Sequence, residues 1–176
     1  MNLELRTLVL LAIGILLQFL VGEMNHYLSP LHVYLYLGGL LITFPLLRFR
    51  YKQGFLYACL IALFHDATAP IPFGTSMILF LTAHTIVFAL RSKFRREEPA
   101  AAIAVAFLLN GAIILALSVI QMPDHHFASQ YWQRVVFDLF LSQAVLLLVA
   151  GWCFALQSEA LKFFGIHLDH EQRQAG

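Results

Sequence analysis

Residues 100–121 read AAAIAVAFLLNGAIILALSVIQ and contain no Asp, Glu, Lys or Arg. An α-helix of this length, rising about 1.5 Å per residue, reaches across a hydrocarbon core of roughly 30 Å. The preceding Glu97-Glu98-Pro99 reads as its start. Carboxylates suit the positive end of the helix dipole, and proline is harmless in the first turn, where its missing N–H has no intrahelical partner anyway. A long uncharged run with a helix start in front of it points to a transmembrane segment.

Working outward from this run, five further apolar stretches are bounded by charge, Pro or Gly, as helices ending at a membrane interface are. The predicted spans are 5–22, 31–47, 54–69, 75–90, 100–121 and 135–157, with 159–176 as a cytoplasmic tail whose apolar part, 159–168, lies along the inner surface. The first run has no small-residue cleavage motif after it and is taken as a span rather than a leader. The third is the shortest, because its uninterrupted apolar part ends at His65. It must continue through Asp66-Ala67-Thr68-Ala69, thin the bilayer, or end inside it sheltered by neighbours, before Pro70 and Pro72 stop the helix and Gly74 opens the fourth span. The expectation is an all-α membrane protein, a bundle of six transmembrane helices forming a single domain.

The bulk composition agrees. The chain has 176 residues, 60% hydrophobic and 12% charged, with a mean hydropathy of +0.77, more apolar than a soluble domain of this size accommodates. A net charge of +1 gives no reason to expect a nucleic-acid partner. Cys59 and Cys153 both lie within apolar runs and read as small buried hydrophobes rather than a disulfide or metal pair.

Orientation follows from the basic residues, which short loops retain on the cytoplasmic side. Arg6, the group Arg48, Arg50 and Lys52, the group Arg91, Lys93, Arg95 and Arg96, and Lys162 and Arg173 make up ten of the eleven Lys and Arg; only Arg134 falls on the opposite face. Six spans with both ends inside satisfy this alternation throughout. Tyr34, Tyr36, Tyr131 and Trp132 fit an outer aromatic belt, and Phe49 and Tyr51 an inner one.

Polar residues inside spans are the candidates for chemistry. Asp138 precedes Ser142 by one helical turn and follows Arg134 by another, so it reads first as an interfacial carboxylate with a basic neighbour and second as part of a cavity or subunit contact. His65-Asp66 is a pair able to relay protons or bind a cation, and with Asp124, His125 and His126 it allows a metal site to be drawn; the spacing supports that poorly, and ordinary interfacial histidines are the expectation. Gly14, Gln18 and Gly22 recur at four-residue intervals, a small-and-polar stripe along which another helix can approach. Gly38 and Gly39 in the second span, His84 in the fourth and Asn110 in the fifth complete a set best read as helix packing and partner contact. No G-x-S-x-G, phosphate loop or paired carboxylates on one helix are present, so neither enzymatic activity nor a cofactor is expected.

The stretch 54–96 resembles the signature of the bacterial rod shape-determining protein MreD family. A basic loop leads into a span that begins Gly54-Phe55, an acidic residue follows at Asp66, then a break with Gly at Pro72-Phe73-Gly74, a Leu-rich span over 77–90, and a second basic loop over 91–96. In this chain the break is prolonged by Pro70 and Pro72, where the family has a short Ser/Gly turn. The resemblance implies a non-enzymatic component of the cell-elongation complex in the bacterial inner membrane, supporting peptidoglycan synthesis. It implies association with an MreC-type bitopic protein and, indirectly, with MreB-type filaments and wall-synthesis enzymes. It also implies a fold similar to the substrate-binding S-component of energy-coupling-factor transporters. The alternative is a substrate-binding membrane subunit of a vitamin-type transporter, in which Asp138, Asn110, His84 and the broken third span line an outward-facing cavity.

Overall fold

The computed structural model describes residues 4–69, 71–91, 99–122 and 128–165. Among these residues there are six α-helices and no strand: α1 (Leu5–Leu28), α2 (Gly38–Arg48), α3 (Tyr51–Thr68), α4 (Thr75–Leu90), α5 (Pro99–Ile120) and α6 (Ala128–Phe163). Three of them, α1, α5 and α6, are long and apolar enough to cross a membrane. Lys93, Arg95, Arg96, Glu97, Glu98, Asp124, His125, His126, Pro70 and the tail from 166 onward, Arg173 included, lie outside the described residues.

Helix α2 is the centre of the bundle. All its residues from Gly38 to Leu47 are buried, so it is apolar on every face, as a helix enclosed by others must be. It packs chiefly on α5, while α3 packs on α4, α5 on α6, and α1 on α3. Close approach of α2 to α5 depends on Gly39, where an added Cβ would overlap the backbone of Asn110. Between α3 and α4 the corresponding gap is Gly54, where a Cβ would stand 2.7 Å from His84 Cε1.

Helix boundaries depart from the apolar runs in three places. α1 continues past Gly22 to Leu28, because no breaker occurs until Ser29-Pro30, which form a 3-10 turn over Ser29–Leu31. α6 starts at Ala128, before the apolar run, and continues to Phe163, so Arg134 and Glu159 are ordinary helical residues and the first part of the expected tail extends the helix. The predicted second span is helical only from Gly38; 33–37 form no regular secondary structure. His32, with a left-handed φ of 56°, turns the chain out of the 3-10 turn into that segment. The third run takes the first of its three options and stays helical through Asp66 to Thr68.

One end of the bundle gathers cations. Arg91, at the end of α4, donates to the Phe49 carbonyl at 3.0 Å and stacks on the Phe88 ring. Arg6 lies over the Phe49 ring and pairs with Glu4, which also accepts from Gln53 at 2.6 Å. Arg48, Arg50 and Lys52 flank the α2–α3 turn at the same end. Phe49, expected in an inner aromatic belt, is instead 1% exposed and part of the core, and Tyr36, expected in the outer belt, is likewise buried. In both cases the helices close over the ring rather than leaving it at a surface.

Candidate functional site

The opposite end of the bundle is built around the non-helical segment 33–37. Non-helical backbone inside a helical bundle has no helix or ladder to pair with, so its buried N–H and C=O groups need other partners. Side chains of three helices supply five of them, at Tyr34, Leu35 and Tyr36. Asn25 of α1 donates to the Leu35 carbonyl at 2.8 Å and accepts from the Leu35 N–H at 2.7 Å. Asp138 of α6 accepts from the Tyr34 N–H and Ser142 from the Tyr36 N–H, each at 3.0 Å. Asn110 of α5 donates to the Tyr36 carbonyl at 3.0 Å and accepts from the Gly39 N–H at 3.1 Å, tying the segment to the start of α2.

A second polar device closes the α3–α4 turn. The first N–H groups of a helix lack intrahelical partners. Asp66 provides for three at the start of α4, accepting from Gly74 at 2.9 Å, Ser76 at 2.9 Å and Met77 at 3.3 Å, while Thr75 donates to the Pro72 carbonyl at 3.1 Å. A carboxylate at a helix N-terminus also meets the positive end of the dipole. Gly74 sits at φ 94°, a conformation that glycine adopts without strain. His65 shares a 2.8 Å hydrogen bond with Ser76 and meets the Tyr36 ring edge-on, joining the two devices.

Two clefts flank this segment and share Tyr34, Tyr36, His65 and Ala69 in their walls. The larger, about 290 Å³, is bounded by Tyr131, Arg134, Asp138, Ser142 and Ser118. The smaller, about 150 Å³, lies against α1 and α3 and is bounded by Gln18, Asn25 and Thr68.

The candidate residues from the sequence separate accordingly. His65, Asp66 and Asp138 come to this end of the bundle; Asp138 lies 3.7 Å from Arg134, accepts from the Tyr34 amide and borders the larger cleft. Asn110 is fully buried and committed to the backbone, so it does not line the larger cleft. His84 lies elsewhere, at the cationic end, with Nε2 3.1 Å from the Tyr51 carbonyl and an aromatic surround of Tyr51, Phe55 and Phe88. Gly14 faces the Tyr57 hydroxyl within the bundle, Gly38 faces its own neighbour Tyr36, and Gly22 is exposed with open space around it. The stripe on α1 is therefore used from inside the chain at Gly14 and Gln18 and left open at Gly22. Among the described residues no group of three or more His, Cys, Asp or Glu converges.

Asn25, Ser76 and Tyr57 went unmarked in the sequence. Asn25 lies beyond the apolar run, and a lone Asn there carries no periodic signal. Tyr57 had one: Pro45 inside a span leaves the carbonyl four residues earlier, Leu41, without its helical donor, and the Tyr57 hydroxyl donates to it at 3.1 Å.

No protein-family model, no curated protein and no solved structure matches the chain.

Proposed function

We propose that the chain is a non-enzymatic, multi-pass component of the bacterial cell-elongation machinery, of the rod shape-determining MreD kind, seated in the inner membrane with both ends in the cytoplasm. It binds an MreC-type bitopic protein and through it serves MreB-type filaments and wall-synthesis enzymes. The observation that carries the reading is the Asp66 clamp on α4. Asp66 and Gly74 are the residues on which the resemblance rests, and here one carboxylate holds three amides across the break between them. Gly54, the other marker of the signature, is the point at which α3 and α4 approach.

Six crossings are supported by lengths as well as by charge. The 11 residues of α2 reach about 16 Å as a helix, and the five non-helical residues before it lengthen that crossing. The 18 residues of α3 and 16 of α4 reach about 27 and 24 Å. Arg6, the cations around Arg50, and Arg91 at one end, with Asp66 and Asp138 at the other, accord with the inside-positive arrangement. An arrangement similar to the six-helix S-component of energy-coupling-factor transporters belongs to the same proposal.

Depletion of the gene in its rod-shaped host, with complementation from a plasmid, tests this reading. Wild-type protein is expected to restore rods and to co-purify with the MreC-type protein, and Asp66→Ala to do neither; cells that stay rod-shaped throughout depletion would overturn it. The solute-transport alternative draws on the larger cleft beside Asp138, and solute uptake lost on depletion without change of shape would favour it.

A further inference from the structure

The larger cleft carries one charge of each sign. Arg134 and Asp138, one turn apart on α6, both line it, and no other Asp, Glu, Lys or Arg stands among its described lining residues. The two are not closed on each other. Arg134 Nε lies 3.7 Å from Asp138 Oδ2, too far for a hydrogen bond, and the side chains are 55% and 17% exposed. Asp138 Oδ1 accepts from the Tyr34 N–H, which leaves Oδ2 with that distant guanidinium. Three other polar groups of the wall are committed: Tyr131 donates to the Ser118 carbonyl at 2.7 Å, Ser142 accepts from the Tyr36 N–H, and His65 shares its hydrogen bond with Ser76.

We propose that this cleft binds an α-amino acid with a single-ring apolar side chain, held as the zwitterion. A cation alone would be opposed by Arg134 and an anion alone by Asp138, so the ligand that gains from both side chains carries both charges and sums to zero. Its ammonium donates to Asp138 Oδ2, and its carboxylate accepts from the guanidinium, whose planar fork of N–H groups suits it. One carbon separates the two groups in an α-amino acid, which matches protein charges whose nearest atoms are 3.7 Å apart. The ring has Ile71, Ile114, Leu117 and Val135 to lie against. The cleft holds about 290 Å³, nearly twice the roughly 150 Å³ that accommodates benzene, so the head group has room beside the ring. The site does not rest on the elongation reading; it gives the solute of the transport alternative a chemical class, and binding to purified protein is read independently of cell shape and of uptake.

Equilibrium dialysis of radiolabelled racemic phenylalanine against the purified full-length chain in detergent, with protein-free micelles as reference, tests the assignment. Saturable binding to one site is expected. Phenethylamine, which lacks the carboxylate, and phenylpropionate, which lacks the ammonium, are each expected to compete at least about tenfold less well than unlabelled phenylalanine. The variants then separate the two charges. Arg134→Gln is expected to remove the advantage of phenylalanine over phenethylamine and to keep its advantage over phenylpropionate. Asp138→Asn, which retains an oxygen for the Tyr34 amide, is expected to do the reverse. A purely structural pair would weaken all three compounds alike and leave their order unchanged. Retention no greater than that of empty micelles, competition by either half-molecule as strong as that by phenylalanine, or variants that keep the wild-type order would each overturn the proposal. The first two measurements use the wild-type chain, so they decide the matter even where a variant fails to fold.

Discussion

The Tyr57 hydroxyl stands 3.1 Å from the Leu41 carbonyl and takes the place of the amide hydrogen that Pro45 lacks. Both partners are buried in the central helix contact, and Gly14 on α1 leaves the room in which the phenol tip sits. Tyr57→Phe leaves the Leu41 carbonyl unpaired and is expected to lower stability by about 1–3 kcal/mol. Thermal unfolding in detergent measures this. Gly14→Leu, which drives a side chain into the same space, is expected to lower the midpoint further, and an unchanged midpoint in both variants would show that Leu41 finds another donor.

Asp66 holds the start of α4. Asp66→Ala strips the Gly74, Ser76 and Met77 amides of their acceptor at once and is expected to cost more than about 3 kcal/mol. Asp66→Asn, which keeps one acceptor oxygen, is expected to fall between it and the wild type. The order of the three midpoints is the check; equal values for Asn and Ala variants would mean that the clamp does not depend on the remaining oxygen.

Loosening of the non-helical segment should be visible locally. Asn25→Leu keeps the approximate bulk and removes both bonds to Leu35, so hydrogen exchange over 33–37 is expected to quicken while α3 and α4 keep their protection. Asn110→Leu is expected to quicken exchange at Gly39 as well. Uniform quickening across all helices would instead indicate general unfolding.

At Gly39 the obstacle to a side chain is the backbone of α5 rather than a rotatable group. Gly39→Leu is expected to lower stability by about 3 kcal/mol or more through overpacking, with membrane insertion preserved. Retained insertion with early detergent-induced unfolding is the pattern to look for.

Charge reversal tests the orientation. Changing Arg91, Lys93, Arg95 and Arg96 to acidic residues is expected to disturb the side on which reporter fusions after the fourth span are found. An unaltered reporter pattern would show that other features set the orientation.

Much of this architecture was legible in the sequence because helix-forming apolar runs and their Pro, Gly and charge boundaries are local properties. Pro99 marks the start of α5, and Ser29-Pro30 explain the end of α1. The non-helical segment 33–37 was not legible. Its alternating Val33, Tyr34, Leu35 and Tyr36 sit within an apolar run, and the groups that hold it out of a helix are Asn25, Asn110, Asp138 and Ser142, brought there by tertiary structure. Asp138 and Ser142 were recognisable as sharing a helix face, but what that face meets is information that no window around residue 138 contains. The same limit applied to Asp66, whose position in the chain was evident and whose three amide partners were not.

The amides of Gly39, Tyr34 and Tyr36 find their acceptors 71, 104 and 106 positions later in the chain. A ribosome delivering this protein from its N-terminus therefore releases the second element long before the groups that complete it exist. Until α5 and α6 arrive, that stretch has to wait in water or in the insertion machinery with its peptide groups solvated. The middle of the bundle is made early and finished last, and a nascent chain halted before residue 138 would hold α2 without the lining that lets its lead-in stay buried.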